Sequence, residues 1–205
     1  MRKVFILMIV VLFLISCGGW WSQGYTEKLS EYFRMERLRD GYEVALKAAR
    51  AWSPEACLES ATGIYQLEGK DWRIQRGYYI FVDKARMQYV GITVDLKKRQ
   101  LVVDPPGRVG GKGGIVTTYH FNLLENQVDD FQALTIALKY LPANCEVQEV
   151  IISGHAGVRQ SWWVDFKNPH HGFWSSLFLP TIYVNAVTGE TKLSSKWEQG
   201  NWCRP

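Results

Sequence analysis

The chain lacks most of the patterns that announce a chemistry. Its four cysteines and four histidines in 205 residues include no C-x-x-C pair and no two histidines one helical turn apart. A thioredoxin-type redox site, a zinc knuckle and a helix-borne zinc site are thereby left out. No G-x-S-x-G elbow is present, and the glycines around Lys112 do not take the G-x-x-x-x-G-K-[ST] spacing of a phosphate loop. Charge of one sign is missing too. There are 24 basic and 20 acidic side chains, and two of the basic ones are Arg2 and Lys3 at the extreme N-terminus. Such a balance excludes a nucleic-acid protein held by a basic surface. No apolar run reaches the roughly 20 residues that a bilayer-spanning helix needs, so a multispan membrane protein is excluded. What is present is a 47% hydrophobic, 14% aromatic chain, enough to bury a core.

Arg2 and Lys3 precede an unbroken apolar run over 4–15, which ends in Leu14-Ile15-Ser16-Cys17 and gives way to Gly18-Gly19-Trp20-Trp21. That is the length and flank of a signal-peptide apolar region. The ending resembles the lipobox of bacterial lipoproteins. The resemblance implies cleavage before Cys17, fatty acylation at Cys17, and a tether over 17–26 holding the folded part at a membrane. Gly18 stands where an inner-membrane retention signal would place Asp, so the periplasmic face of the outer membrane is the expected location. Trp20 and Trp21 beside the anchor suit the membrane interface.

Slid against itself, the chain matches weakly at an offset of 88–90 residues. Apolar spacings of three and four predict a helix over 27–52, divided at Asp40-Gly41 with Asp40 capping the second part, and ended by Ser53-Pro54. Strands are expected over 63–67, 78–82, 87–95 and 100–103. A Gly- and Pro-rich stretch over 105–114 reads as a linker or long loop. A second helix is expected over 129–141, then strands over 147–153, 161–166, 177–185 and 191–194. Gly189 supplies the positive φ that a tight turn before the last strand needs. The expected class is α+β, with two similar halves, each a helix on an antiparallel sheet, over 27–104 and 115–205.

After Cys17, three cysteines remain. In an oxidising compartment one disulfide can form, with Cys57–Cys145 joining equivalent places in the two halves and Cys203 as the alternative partner. His155, His170 and His171 fall in turns or loops, so a metal site or a hydrolase built on them is the competing reading, and no cofactor is indicated. Asp129-Asp130 stand at a helix start, where carboxylates suit the dipole. The aromatic residues crowd toward the C-terminus, and Trp162, Trp163, Phe173 and Trp174 form a candidate partner patch.

Trp162-Trp163-Val164-Asp165-Phe166 followed by Ile182-Tyr183-Val184-Asn185-Ala186-Val187-Thr188-Gly189-Glu190 resembles the closing hairpin of PepSY-type domains. The resemblance implies a helix packed on a curved antiparallel sheet, close to the cystatin layout. It also implies a non-catalytic role in binding or restraining an envelope protein such as a peptidase. A purely structural lipoprotein is the remaining alternative.

Overall fold

A computed structural model describes residues 23–85, 87–108, 121–141, 145–155, 160–167 and 181–194. The elements are β1 (Tyr25–Lys28), α1 (Leu38–Trp52), β2 (Cys57–Glu68), β3 (Asp71–Asp83), β4 (Gln88–Asp95), β5 (Gln100–Val103), β6 (Gly107–Arg108), α2 (Asp130–Leu138), β7 (Glu149–His155), β8 (Ser161–Lys167), β9 (Thr181–Asn185) and β10 (Thr191–Leu193). Among the described residues the strands form one antiparallel sheet in the order β1-β5-β4-β3-β2-β7-β8-β9-β10, with β6 beside β4. Each helix is followed by four strands that pair in turn, and β2 and β7 join the two sets at the centre. The class is mixed, mostly sheet, and the sheet is continuous across the expected linker.

Alternation along the strands turns one sheet face inward. Leu58, Ala61 and Tyr65 of β2, Val150 and Ile152 of β7, and Trp162, Val164 and Phe166 of β8 are buried, with their sequence neighbours on the other face. Both helices cover this face, α1 over β2–β4 and α2 over β7–β9. The inward face of α1 carries Leu38, Gly41, Ala45, Ala48, Ala49 and Trp52. The small side chains let the helix approach the sheet closely.

Two expectations about the first helix are corrected. Residues 25–28 form β1, whose pairing with β5 satisfies its backbone groups better than a further helical turn could. Asp40-Gly41 does not divide a helix. Asp40 closes the start of α1 by accepting the N–H groups of Glu36 and Arg37, each at 2.9 Å. Gly41 is there for space, because a Cβ would lie 2.4 Å from the Tyr79 hydroxyl and 2.5 Å from the Met35 sulfur. That close approach lets the Tyr79 hydroxyl donate to the Leu38 carbonyl at 2.5 Å.

The remaining elements fall close to where the pattern puts them: β2 and β3 run longer than the expected 63–67 and 78–82 because pairing extends them beyond the apolar run, β7 lies two residues later than expected, and α2 ends at Leu138 rather than at 141. The α2 start is a capping box: Asp129 Oδ1 accepts from Gln132 N–H at 2.8 Å, and Gln132 Oε1 accepts from Asp129 N–H at 2.9 Å. Gly189 takes φ 73°, and the turn is held by Asn185 Oδ1, which accepts from Val187 N–H at 2.8 Å and Thr188 N–H at 3.0 Å. Of the expected linker, Gly107 and Arg108 are paired strand rather than free loop, Pro105 and Pro106 lie between β5 and β6, and 109–114 lies outside the described residues.

The Cys57–Cys145 bridge is not formed. Cys57 is a free thiol donating to the Val82 carbonyl at 3.4 Å, while Cys145 is disulfide-bonded to a partner outside the described residues. The register explains it. Gln66 pairs with Glu149, so the chain enters β7 at the far end of β2 from Cys57, about 30 Å away at the rise of a strand. A disulfide needs Cα atoms within about 7 Å. The alternative partner, Cys203, lies outside the described residues. Peptide mapping after native alkylation, without reductant, is expected to return Cys57 labelled and Cys145 in a bridge. Because burial pushes the Cys57 thiol up, its labelling at pH 7 should speed up markedly when the chain is unfolded. Recovery of a Cys57–Cys145 peptide would refute this pairing.

Candidate ligand-binding cleft

At the end of the sheet where β2 turns into β3 and β4 into β5, three segments surround a cleft of about 740 Å³, a volume typical of ligand sites. The entry loop before α1 supplies Phe33, Arg34, Met35, Glu36 and Arg37. The β2–β3 hairpin and its strand supply residues 70–75, and the β4–β5 turn supplies Leu96, Lys97 and Arg99. Phe131 of α2 completes the wall.

Each segment is tied in place by its own bonds. Leu29 N–H donates to the Arg99 carbonyl at 2.9 Å, and the Arg99 guanidinium donates to the Ser30 carbonyl at 2.7 Å, so the entry loop is fastened to the β4–β5 turn. That turn starts at the buried Asp95, which accepts Lys98 N–H at 2.9 Å through Oδ1 and pairs with Arg76 at 3.0 Å through Oδ2. Gly69 closes the β2–β3 hairpin with φ 66°, which holds Lys70 out in solvent.

The floor is apolar and the rim cationic. Met35 and Ile74 are buried, and Phe33, Trp72, Leu96 and Phe131 are partly buried against the core. Around them stand Arg34, Arg37, Lys70, Arg73, Lys97 and Arg99, against only Glu36 and Asp71. Arg37 is paired with Asp129 and Arg73 with Glu68 at 3.6 Å. Arg34 bonds the backbone carbonyls of Glu31 and Phe33 at 2.8 and 2.9 Å, which neutralises no charge. Among the described residues, Lys70 and Lys97 make no ion pair. Fixed cations over an aromatic floor can bind an anionic group attached to an apolar body.

Behind the wall formed by Arg37 and Phe131 lies a buried polar cluster. Asp130, the first residue of α2, is fully buried. Its Oδ2 accepts the N–H of Leu38, the first residue of α1, at 2.9 Å, and the Tyr65 hydroxyl as well. Oδ1 has no partner among the described residues. Burial pushes the Asp130 carboxyl up to about 6, against the opposing pull of the Tyr65 and Leu38 bonds. Burial, and then the Asp130 charge, raises the Tyr65 and Tyr79 hydroxyls well above their ordinary range.

The residues singled out from sequence fall elsewhere. Trp162 is fully buried, with Nε1 donating to the Val128 carbonyl at 2.7 Å and its ring edge-on to Phe121 at 4.9 Å. It therefore cannot share a surface patch with Trp163, which alternation turns to the other face, 40% exposed and edge-on to Tyr183 at 5.4 Å. Phe173, Trp174, Cys17, His120, His170 and His171 lie outside the described residues; His155, expected in a turn, is instead the last residue of β7, paired with Ser60 and Ser161, and its side chain lies outside the described residues. Among the described residues no three His, Cys, Asp or Glu side chains gather as a metal would require. The cleft itself went unread in the sequence. Its one local signal is that charged turns carry aromatic neighbours, as in Lys70-Asp71-Trp72-Arg73 and Phe33-Arg34. Compared with known proteins, the chain matches no family model, no curated protein and no solved structure.

Proposed function

We propose that this chain is a lipid-anchored binding module of the bacterial cell envelope, non-catalytic, which holds or restrains another envelope protein such as a peptidase. The anchor rests on the leader that ends in Ser16-Cys17. The observation that carries the binding role is the cleft, because Lys70 and Lys97, which make no ion pair among the described residues, line it together with Trp72, the equipment of recognition. The periplasmic face of the outer membrane is the proposed location, following from Gly18.

The module reads as two related helix-on-sheet halves. In support, the central register has the symmetry that a duplication by 89 residues would produce. Gly63 pairs with Ile152, 89 positions later, and the pairs Ser60–His155 and Gln66–Glu149 exchange under the same offset. This falls within the 88–90 offset of the sequence match. The two helix starts also lie against each other, with Arg37 and Leu38, at the cap and first position of α1, contacting Asp129 and Asp130, at the cap and first position of α2. Contacts between equivalent positions are what a pseudo-twofold axis requires.

Expression of the full chain in a Gram-negative host, followed by intact-mass and N-terminal peptide analysis, tests the anchor. The expected product begins at Cys17, carries acyl chains and sediments with membranes. An uncut, unmodified polypeptide would defeat that half of the proposal. A photo-crosslinking side chain introduced at Trp72 in the same cells is expected to give a stoichiometric adduct with one envelope protein. The absence of adducts from Trp72 and from a matched position on the opposite sheet face, Trp163, would defeat the other half.

A further inference from the structure

The charge, shape and placement of the cleft narrow what it accepts. Of its six cations, Arg37 and Arg73 are answered by Asp129 and Glu68. Arg34, Lys70, Lys97 and Arg99 then face Glu36 and Asp71 alone, an excess of two. The whole chain beyond Arg2 and Lys3 carries the same excess, 22 basic against 20 acidic side chains. The mouth thus carries a local surplus of positive charge, which would draw in an anionic partner.

The cations are distributed rather than gathered. Two come from the entry loop, two from the β2–β3 hairpin and two from the β4–β5 turn. A single phosphate or carboxylate is best held by donors converging on one point, whereas a ring of cations around an aromatic floor suits several anionic groups spaced along a chain. Phe33, Trp72 and Phe131, partly exposed from three separate segments, offer flat surfaces for one or two apolar side chains between those groups.

Placement argues against the anchoring membrane as the ligand. The chain enters β1 at Tyr25, paired with Val103, and leaves it at Lys28, paired with Gln100, the residue next to Arg99 of the cleft. The tether therefore joins the sheet at the end away from the cleft, about 10 Å along the strand.

We infer that the cleft takes an acidic peptide segment of a partner protein. One or two of its aromatic or aliphatic side chains rest on Phe33, Trp72 and Phe131, while flanking carboxylates meet Arg34, Lys70, Lys97 and Arg99. This rests on the binding-module reading and names its partner class.

The test uses the full mature chain in detergent. A displayed octapeptide library, each member carrying three acidic and two large apolar residues, is panned beside a matched library with Gln and Asn in place of the acids. Enrichment from the acidic library alone is expected. The selected peptide, measured by fluorescence anisotropy, should weaken as salt rises and lose at least about tenfold in affinity with the double variant Lys70→Glu/Lys97→Glu. Both lysines are exposed and make no ion pair among the described residues, so the melting temperature of that variant should match the parent. Trp72→Ala should weaken the same peptide at unchanged salt dependence. Enrichment of neutral peptides, an affinity indifferent to the charge reversal, or no enrichment at all would each overturn the inference. So would binding of dodecanoate or anionic vesicles in place of peptide. If the Trp163 position still cross-links an envelope protein while the acidic library fails, only the peptide assignment falls; if both fail, the binding-module reading falls with it.

Discussion

Asp130→Ala is expected to cost about 4 kcal/mol of folding stability at pH 4.5 and only about 2 kcal/mol at pH 7, as measured by urea unfolding at the two pH values. The first figure comes from the two donors that the carboxyl satisfies. Without it, the Tyr65 hydroxyl and the Leu38 N–H are left buried and unanswered, at about 1–3 kcal/mol each, against a total stability of about 5–15 kcal/mol. The difference between the two pH values comes from the proton. The folded-state value of about 6 lies above the ordinary 3.8, so the folded protein holds this proton more tightly than the unfolded chain does. Its stabilising contribution is complete below pH 3.8 and is lost as pH rises through about 6. At about 1.4 kcal/mol per unit, some 2 kcal/mol of it disappears between pH 4.5 and 7. Alanine has no such contribution to lose, so the gap between the two proteins must narrow. Asp129, Arg37 and Tyr79 surround the site in both proteins and cancel in the comparison. Asp130→Asn should show the same flattened pH dependence with a smaller loss, because it keeps an acceptor oxygen. A cost that is equal at both pH values, or larger at pH 7, would mean that Asp130 carries no raised proton affinity.

The second large effect is expected at Trp162. Its replacement by alanine should cost about 3–5 kcal/mol, the usual range for deleting a buried aromatic. The indole fills the space left by Gly154, where an added Cβ would meet Phe121 at 2.3 Å and Trp162 at 2.8 Å. It also satisfies the Val128 carbonyl, whose residue is itself tied to Ala186 at 3.0 Å. Losing it empties the core beneath α2 and frees the loop that starts that helix. Trp162→Phe should cost about half as much, since the ring stays and the N–H goes. Trp163→Ala, one residue away on the open face, should cost under about 1 kcal/mol. Thermal unfolding of the three variants checks the order, and a larger loss at 163 than at 162 would contradict the assignment of faces.

These two sites also mark how far the sequence could be read. Asp129-Asp130 looked like a pair of ordinary helix-start carboxylates. For Asp129 that role holds, since it caps Gln132 three residues along the same chain, though its ion pair with Arg37 is as remote in sequence as the contacts of Asp130. Asp130 has partners at Leu38 and Tyr65, which no local pattern connects to it. Trp162-Trp163 looked like a patch because both are large and adjacent. Alternation along β8 separates them, and which one faces the core depends on the sheet's covered side. The cleft is the extreme case. Arg34, Lys70 and Lys97 are far apart in the chain and meet because β1 pairs with β5, β5 with β4 and β4 with β3.

By itself the sequence determined whatever is settled within a few residues: the helix start at Asp129-Asp130, the turn at Gly189, the alternation of Val90, Ile92 and Val94, and the apolar run before Cys17. Each rests on a hydrogen bond, a dihedral preference or a periodicity that closes over one turn or one strand. Tertiary structure alone decided that residues 25–28 are strand, that Gly41 serves a close approach, that Cys57 and Cys145 stand at opposite ends of β2, and that three distant turns frame one cationic mouth. Those outcomes depend on strand register and on which face the helices cover, and both are set by the packing of the whole chain rather than by any segment of it.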